Sequence, residues 1–410
     1  MFEQFDLDSE LLANVKALGY KKPTSIQELV IPKAMMGKDI LASAPTGTGK
    51  TAAFSLPIIN KFGRNRINIK AKSTRSLILT PTRELASQIM QNIDDYAEGL
   101  ELKTKVVYGG VGRQPQVDAI AHGLDILVAT PGRLLDLIAA GDINFSALEV
   151  FVLDEADKML DFGFEEELEL LLQVLPKKRQ NLLFSATYPA KMLNIASKIT
   201  QNPIEISIEN EETTVQSINQ RVIEVNKENR SALLRHLIKE EKWEQVLVFM
   251  ANKRSCDNIA SKFRKYGFEA ESFHGDLVQE ERNETLEDFK SKKIKVLFAT
   301  DIAARGLHID NISCVVNYDL PRAAADYIHR IGRTGRAGKS GIAVSFISHE
   351  DKEHFALIEK RSNINLEKEQ ISGFELTGTP ITKEKGLPPV KGKRKSKKDK
   401  LREESLKKTK

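Results

Sequence analysis

The chain has 410 residues, 41% hydrophobic and 29% charged, the composition of an ordinary globular protein, and no apolar run approaches the ~18 residues that would span a bilayer. Two cysteines, Cys256 and Cys314, cannot build a disulfide framework, so a reducing, cytoplasmic setting is expected. Residues 383–410 carry 13 Lys/Arg against 4 Asp/Glu, a net of +9, whereas the rest of the chain is net −4, so any nucleic-acid binding by the body must be local rather than the work of a global field.

The opening "MFEQFDLDSE" is acidic and has no charged-then-apolar leader pattern. From about Pro23 to about Pro203, short apolar runs alternate with helix-like stretches: "DILASA", "SLILTPT", "DILVATPG", "VFVLDEAD" and "NLLFSAT". Continuous apolar runs of this length predict parallel strands covered on both faces. Right-handed crossovers then give a doubly wound sheet with functional residues at the carboxyl ends of the strands. The pattern stops at "ISIENEETTVQS" and resumes with "VLVFMANK", "KVLFATD", "CVVNYD" and "GIAVSFIS". The expected organisation is therefore two α/β, doubly wound parallel-sheet domains in tandem, residues 1–205 and 216–365, joined by a linker at 206–215. Residues 366–410, ending in the Lys-rich "VKGKRKSKKDKLREESLKKTK", read as a basic, disordered tail.

"ASAPTGTGKT", Ala42 to Thr51, follows the first strand and precedes the helical "AAFSLPIINKF". It fits the phosphate-loop template, with Ala44 at the first glycine position and Thr46, Gly47, Thr48 and Gly49 in the loop. Glycines let backbone N–H groups face an anion, and the following helix terminus adds a favourable dipole. Lys50 is placed to neutralise outer phosphates and the Thr51 hydroxyl to ligate Mg²⁺. The bland alternative is a Gly-rich strand-to-helix turn without a ligand, which leaves Lys50-Thr51 in register unexplained.

"VFVLDEADKML" ends a buried-looking strand on Asp154, Glu155 and Asp157. In phosphate-loop proteins a second strand delivers an acid to the Mg²⁺ held over the phosphates, and Asp154 stands at that place. Glu155 can then accept a proton from the attacking water. An acidic helix cap would explain the carboxylates alone, but not their pairing with Lys50 and Thr51. Two carboxylates in different roles point to hydrolysis.

Asp154-Glu155-Ala156-Asp157 spells the motif that names the DEAD-box RNA helicases, and the chain resembles that family over roughly residues 2–365. The resemblance implies two RecA-like domains. "GYKKPTSIQ", residues 19–27, is similar to the family's adenine-recognition motif: the Gln27 amide can donate to and accept from an adenine edge, and Phe2 or Tyr20 can pack beside the ring. "PTRELA" with Pro81, Thr82 and Arg83, "GG" with Gly110, and "TPGR" with Thr130 and Arg133 match motifs that face RNA, in keeping with their hydroxyls, backbone amides and single arginines. "SAT", with Ser185 and Thr187, resembles the motif that couples the nucleotide site to RNA, and Asp157 is assigned to the same coupling.

In the second half, "HGDLVQEER" carries Gly275 and Arg282 in a Gln279-x-x-Arg282 spacing, and "ATDIAARGL" carries Thr300. By resemblance these contact RNA. "YIHRIGRTGRAG" sets Arg330, Arg333 and Arg336 at three-residue intervals beside His329. On one helical face such an unpartnered basic cluster is unfavourable unless another domain supplies an anion. The resemblance makes Arg333 and Arg336 arginine fingers for the γ-phosphate. After "ARGL" the family has Asp, whereas here His308 and Ile309 precede Asp310. His122, His236, His349 and His354 form no metal constellation and read as surface or packing residues. "GGVGRQPQ" with "IEKRSNINLEKEQISGFE" most resembles the bacterial RhlE-type subgroup.

Neither half holds a complete site, so ATP and RNA bound across the cleft would favour closure. The expected activity is RNA-stimulated ATP hydrolysis with local unwinding of short duplexes, using ATP and Mg²⁺ and little sequence preference in the core. The expected partners are RNA and, through the tail, ribosomal particles or RNA-decay factors; the chain is expected to be monomeric and without a membrane. An ATP-gated RNA clamp, a ribosome-assembly factor with little unwinding, and a DNA helicase are the alternatives.

Overall fold

A computed structural model of the chain describes residues 1–44, 47–186, 188, 190–208, 218–304, 312–322, 324–335 and 341–378. Of the residues singled out above, Thr46, Thr187, His308, Ile309, Asp310 and Arg336 lie outside the described residues, as does the Lys-rich segment 383–410.

Two seven-stranded sheets are formed, every adjacent pair parallel. The first comprises β1 (Ile40–Ser43), β2 (Thr74–Leu79), β3 (Thr104–Val107), β4 (Leu124–Ala129), β5 (Val150–Leu153), β6 (Gln180–Ser185) and β7 (Ile204–Ser207), in the spatial order β3-β4-β2-β5-β6-β1-β7. The second comprises β8 (Ile218–Glu224), β9 (Val246–Met250), β10 (Ala270–Phe273), β11 (Val296–Thr300), β12 (Cys314–Asn317), β13 (Gly341–Ile347) and β14 (Lys368–Glu369), in the order β10-β11-β9-β12-β13-β8-β14.

The apolar runs are continuous because both faces are covered. In β5, Val150 and Val152 enter one core cluster while Phe151 and Leu153 enter the cluster on the other face. Each such side chain contributes about 1.5–3 kcal/mol of burial. Five strands are absent from the predicted set: β3, β7, β10 and β14 are the four sheet edges, and β8 lies between β13 and the two-residue edge strand β14. Edge strands pack on fewer neighbours, so β3 (TKVV) and β7 (IEIS) mix exposed and buried positions and lack the continuous apolar signature.

The boundary expected at 365 falls short. Residues 366–378 strap the second sheet: β14 pairs with β8, and Arg221 donates through Nε and Nη2 to Glu369 at 2.7–3.1 Å. Phe374 lies 5.5 Å from the His236 ring, and Thr377 exchanges two hydrogen bonds with Asn226. Single ion-pair and ring contacts carry this attachment, and they leave no periodicity in the sequence. Cys256 and Cys314 are buried in the same domain's core as free thiols.

Arg75 on β2 is fully buried. It sits over the Phe62 ring at 4.0 Å and is paired with Asp125 at 3.2 Å and Glu149 at 2.8 Å. Removing one partner of such a group strands the others in a poorly solvated site. Arg75→Ala is therefore expected to lower the unfolding free energy of the first domain by about 3–5 kcal/mol, read by urea titration.

Candidate functional site

The carboxyl ends of the strands gather the residues singled out above. The loop after β1 runs into the Lys50–Arg64 helix. Gly49 caps that helix with φ +92°, a left-handed conformation that favours glycine, and a Cβ there would stand 2.4 Å from Gln27 Nε2. Gln27 itself is buried. Its Oε1 accepts the Thr24 N–H at 2.9 Å and its Nε2 donates to the Gly49 carbonyl at 3.1 Å. The amide thus ties the start of the Ser25–Met35 helix to the loop, leaving one N–H and one lone pair for a ligand.

Lys50 is buried and donates to the Ala44 carbonyl at 2.9 Å, a contact served by the carbonyl of the residue standing where the template has glycine. Ala44 N–H in turn donates to the Ser185 carbonyl at 3.0 Å. Gly47, Gly49, Lys50, Thr51, Asp154 and Glu155 line a cavity of about 220 Å³ together with Tyr20. Phe2 is not in that wall. It packs edge-on against Tyr20 with centroids 5.8 Å apart, so it backs the aromatic that faces the cavity. Tyr20 OH and Tyr96 OH are 2.7 Å apart, and burial pushes the Tyr96 hydroxyl well above its ordinary range.

The acids are held by backbone geometry. Asp154 accepts the Glu155 N–H at 2.9 Å. Glu155 sits at φ 50°, ψ 48°, a left-handed conformation that costs a non-glycine residue about 1–3 kcal/mol and concentrates at functional positions. Burial raises the Asp154 carboxyl to about 7; Lys50 opposes the shift, and Glu155 and Asp157 add to it. Asp157 N–H donates to Ser185 Oγ at 3.2 Å. Ser185 therefore joins the phosphate loop through its carbonyl and the acidic turn through its hydroxyl. A buried carboxylate, a hydroxyl and a neighbouring acid form a hard oxygen donor set that fits Mg²⁺. Among the described residues no cluster of three or more His, Cys, Asp or Glu side chains is grouped to hold a metal by itself.

The expected RNA-facing residues are at strand ends, but several are already engaged. Thr82 caps the Arg83–Tyr96 helix, its Oγ1 accepting the Leu85 N–H at 3.3 Å; Pro81 before it is buried. Arg83 reaches into the second domain and donates to Gln279 Oε1 at 3.3 Å. Gly110, at φ +80°, leaves that room, since a Cβ would lie 1.9 Å from Arg83 Nη1. Thr130 precedes the Pro131–Ala139 helix without a side-chain cap bond. Arg133 donates to the Val111 carbonyl at 2.9 Å. Arg282 pairs with Glu84 of the first domain at 2.6 Å, both side chains nearly buried. Gly275 lies in the turn after β10 and Thr300 ends β11.

The arginine series corrects the expectation of an unpartnered helical face. The Ala324–Ile331 helix stops before Arg333, and Arg330 is fully paired inside its own domain. Its Nε and Nη2 donate to Asp301 at 2.6 and 2.7 Å, and Nη1 donates to Asn317 Oδ1 at 3.0 Å and the Asp319 carbonyl at 2.6 Å. Arg333 is buried in the turn that follows. Burial lowers His329 to about 4, Lys158 of the first domain adding to the shift and Asp157 opposing it, so the two halves meet there. The Glu84–Arg282 pair, the Tyr20–Tyr96 contact and the Arg330–Asp301 fork escaped the sequence reading. Only the first left a signal, an acid in "PTRELA" opposite the Gln-x-x-Arg spacing.

Two outcomes are expected from this geometry. The folded Asp154 carboxyl keeps its proton up to about 7 whereas an unfolded one loses it near 3.8, so its stabilisation is complete at low pH and lost as pH rises through 7. Asp154→Asn should then melt several degrees above wild type at pH 8 in the absence of ligand, with the gap closing toward pH 4. Glu84→Arg should separate the domains, seen as a larger radius of gyration by small-angle scattering, and adding Arg282→Glu should bring them back together.

Comparison with known proteins agrees with this arrangement. Residues 24–195 match the DEAD/DEAH box helicase family and residues 228–338 the helicase conserved C-terminal domain. The chain is 39% identical over 359 residues to the ATP-dependent RNA helicase CshA of Listeria monocytogenes, covering 88% of this chain and 68% of that one. It is 38% identical over 367 residues to the DEAD-box ATP-dependent RNA helicase CshA of Bacillus subtilis, covering 90% and 73%. These relatives support the family, not the narrower RhlE-type likeness. S. cerevisiae Dbp5 bound to RNA and ADP BeF3 superposes with a TM-score of 0.78 at 31% identity, covering 90% of this chain and 95% of that one. Two parallel-sheet domains, a phosphate loop facing an Asp-Glu-Ala-Asp turn, and relatives of this coverage place the chain in the DEAD-box family of ATP-dependent RNA helicases.

Proposed function

We propose that this helicase works by closing its two domains over ATP and RNA, and that the closed form separates short duplexes locally. The observation that carries the reading is the division of the site. Lys50, Thr51, Asp154 and Glu155 belong to one domain, while His329 of the other lies close enough to feel the charges of Lys158 and Asp157, with Arg333 beside it. In this reading Lys50 neutralises the outer phosphates, and Thr51 and Asp154 hold Mg²⁺. Glu155 accepts the proton of the attacking water. Arg333, with Arg336, stabilises charge on the γ-phosphoryl group. Mg²⁺, when bound, would neutralise phosphate charge and draw Asp154 into its ionised form. Gln27 and Tyr20 select the adenine.

Arg83, Gly110, Thr130, Arg133, Gly275, Arg282 and Thr300 line the strand ends that would follow the sugar–phosphate backbone, in keeping with RNA binding of little sequence preference. The Lys-rich tail adds salt-dependent affinity for RNA, and through it ribosomal particles or decay factors are reached. The protein acts as a monomer in the cytoplasm. Among the described residues no helix is long and apolar enough to cross a membrane.

The test is ATP turnover with and without single-stranded RNA for wild type and Glu155→Gln. Wild type should be strongly stimulated by RNA. Glu155→Gln should lose that turnover by ~10²–10⁴-fold while still binding ATP. Equal wild-type turnover with and without RNA would overturn the closure mechanism.

A further inference from the structure

The first turn of the Arg83–Tyr96 helix meets the second domain and its last residue meets Tyr20, and the flank between them forms one wall of the nucleotide cleft. Leu85, Gln88, Asn92 and Tyr96 recur at intervals of three and four residues, which puts them on one helical face. All four line the cavity that holds Lys50, Thr51 and Asp154. The rest of the helix is committed elsewhere: Ala86, Ile89, Met90 and Ile93 are buried in the core.

Gln88 and Asn92 are half-buried. Several other polar groups of the helix have partners: Gln91 Nε2 donates to Asp95 at 2.8 Å, Thr104 donates to Asp94 at 2.6 Å, and the Tyr96 and Tyr20 hydroxyls meet, while Ser87 is exposed to solvent. Among the described residues the amides of Gln88 and Asn92 have no hydrogen-bond partner. Such amides in a cleft wall call for a ligand or water to complete them. The charges of the wall point to which groups they take. Lys50 is the single cation among the lining residues and faces Asp154 and Glu155, so the side chains do not make a positive cleft. A polyanionic ligand held there needs neutral donors beyond the backbone of the phosphate loop, and each amide offers two N–H groups.

We propose that Gln88 and Asn92 are nucleotide-binding residues, donating hydrogen bonds to oxygen atoms of the nucleotide bound in this cleft. The inference rests on the reading of the cleft as the ATP site. It also gives the Arg83–Tyr96 helix two duties: its flank grips the nucleotide, and its first turn meets the second domain through Arg83–Gln279 and Glu84–Arg282.

The experiment is calorimetric titration of the full chain with ADP for wild type, Gln88→Leu, Asn92→Leu, Asn92→Asp and Lys50→Ala. Each Leu variant is expected to raise the ADP Kd by about tenfold to a hundredfold, in line with loss of one hydrogen bond to a charged ligand. Asn92→Asp keeps the shape, removes the donors and adds a like charge, so it should weaken ADP further than Asn92→Leu at an unchanged thermal midpoint. A purely structural role would not give that order. Wild-type Kd values in Gln88→Leu and both Asn92 variants, with Lys50→Ala impaired, would overturn the proposal while sparing the cleft. Absence of ADP binding by wild type would instead remove the reading of the cleft itself.

Discussion

A carboxyl group that burial would keep protonated sits at the centre of this molecule. Asp154 has lost its water, and only Lys50 and the Glu155 N–H among its close neighbours favour the charged form. The surroundings follow from that tension. The phosphate loop must bring Lys50 inward, so its ammonium is fixed on the Ala44 carbonyl. The chain after Asp154 must turn at once, so Glu155 takes a left-handed backbone and presents a second acid to the same cavity. The site is therefore held in a state that a cation and a polyphosphate would relieve, and this is how a buried cluster of acids becomes a binding site rather than a defect.

Ser185 makes that centre mechanically continuous. One residue at the end of β6 is bonded to the phosphate loop through its carbonyl and to Asp157 through its hydroxyl. Asp157 and Lys158 are felt by His329 of the second domain. Arg330, next to His329, is locked to Asp301 immediately after Thr300. A short chain of backbone and side-chain hydrogen bonds and one charge interaction thus runs from the nucleotide loop to a strand end of the other sheet.

Much of this was legible in the sequence where burial is symmetrical. The central strands carry unbroken apolar runs because helices cover both faces, and the motifs follow them because the carboxyl ends are where a doubly wound sheet opens. Legibility failed at the edges, where β3 and β7 alternate exposed and buried positions. It failed again where single contacts decide the structure. Arg330 looked like one of three equivalent cations, and only the fold shows Asp301, Asn317 and Asp319 around it. Glu369 and Phe374 looked like the start of a tail because one ion pair and one ring contact leave no period. Gln88 and Asn92 carry no motif, and their place in the cleft wall depends on how two helices pack.

The two cysteines acquire a use from where the core puts them. Both lie inside the second domain, and burial pushes the Cys256 thiol up to about 12 and the Cys314 thiol well above its ordinary value. Thiolate is the reactive form, so the native fold shields both from alkylation and oxidation at neutral pH. Reaction with a thiol reagent then counts the moments when that domain comes apart. The second half of the molecule carries a built-in reporter of its own opening, to which the first half contributes no signal.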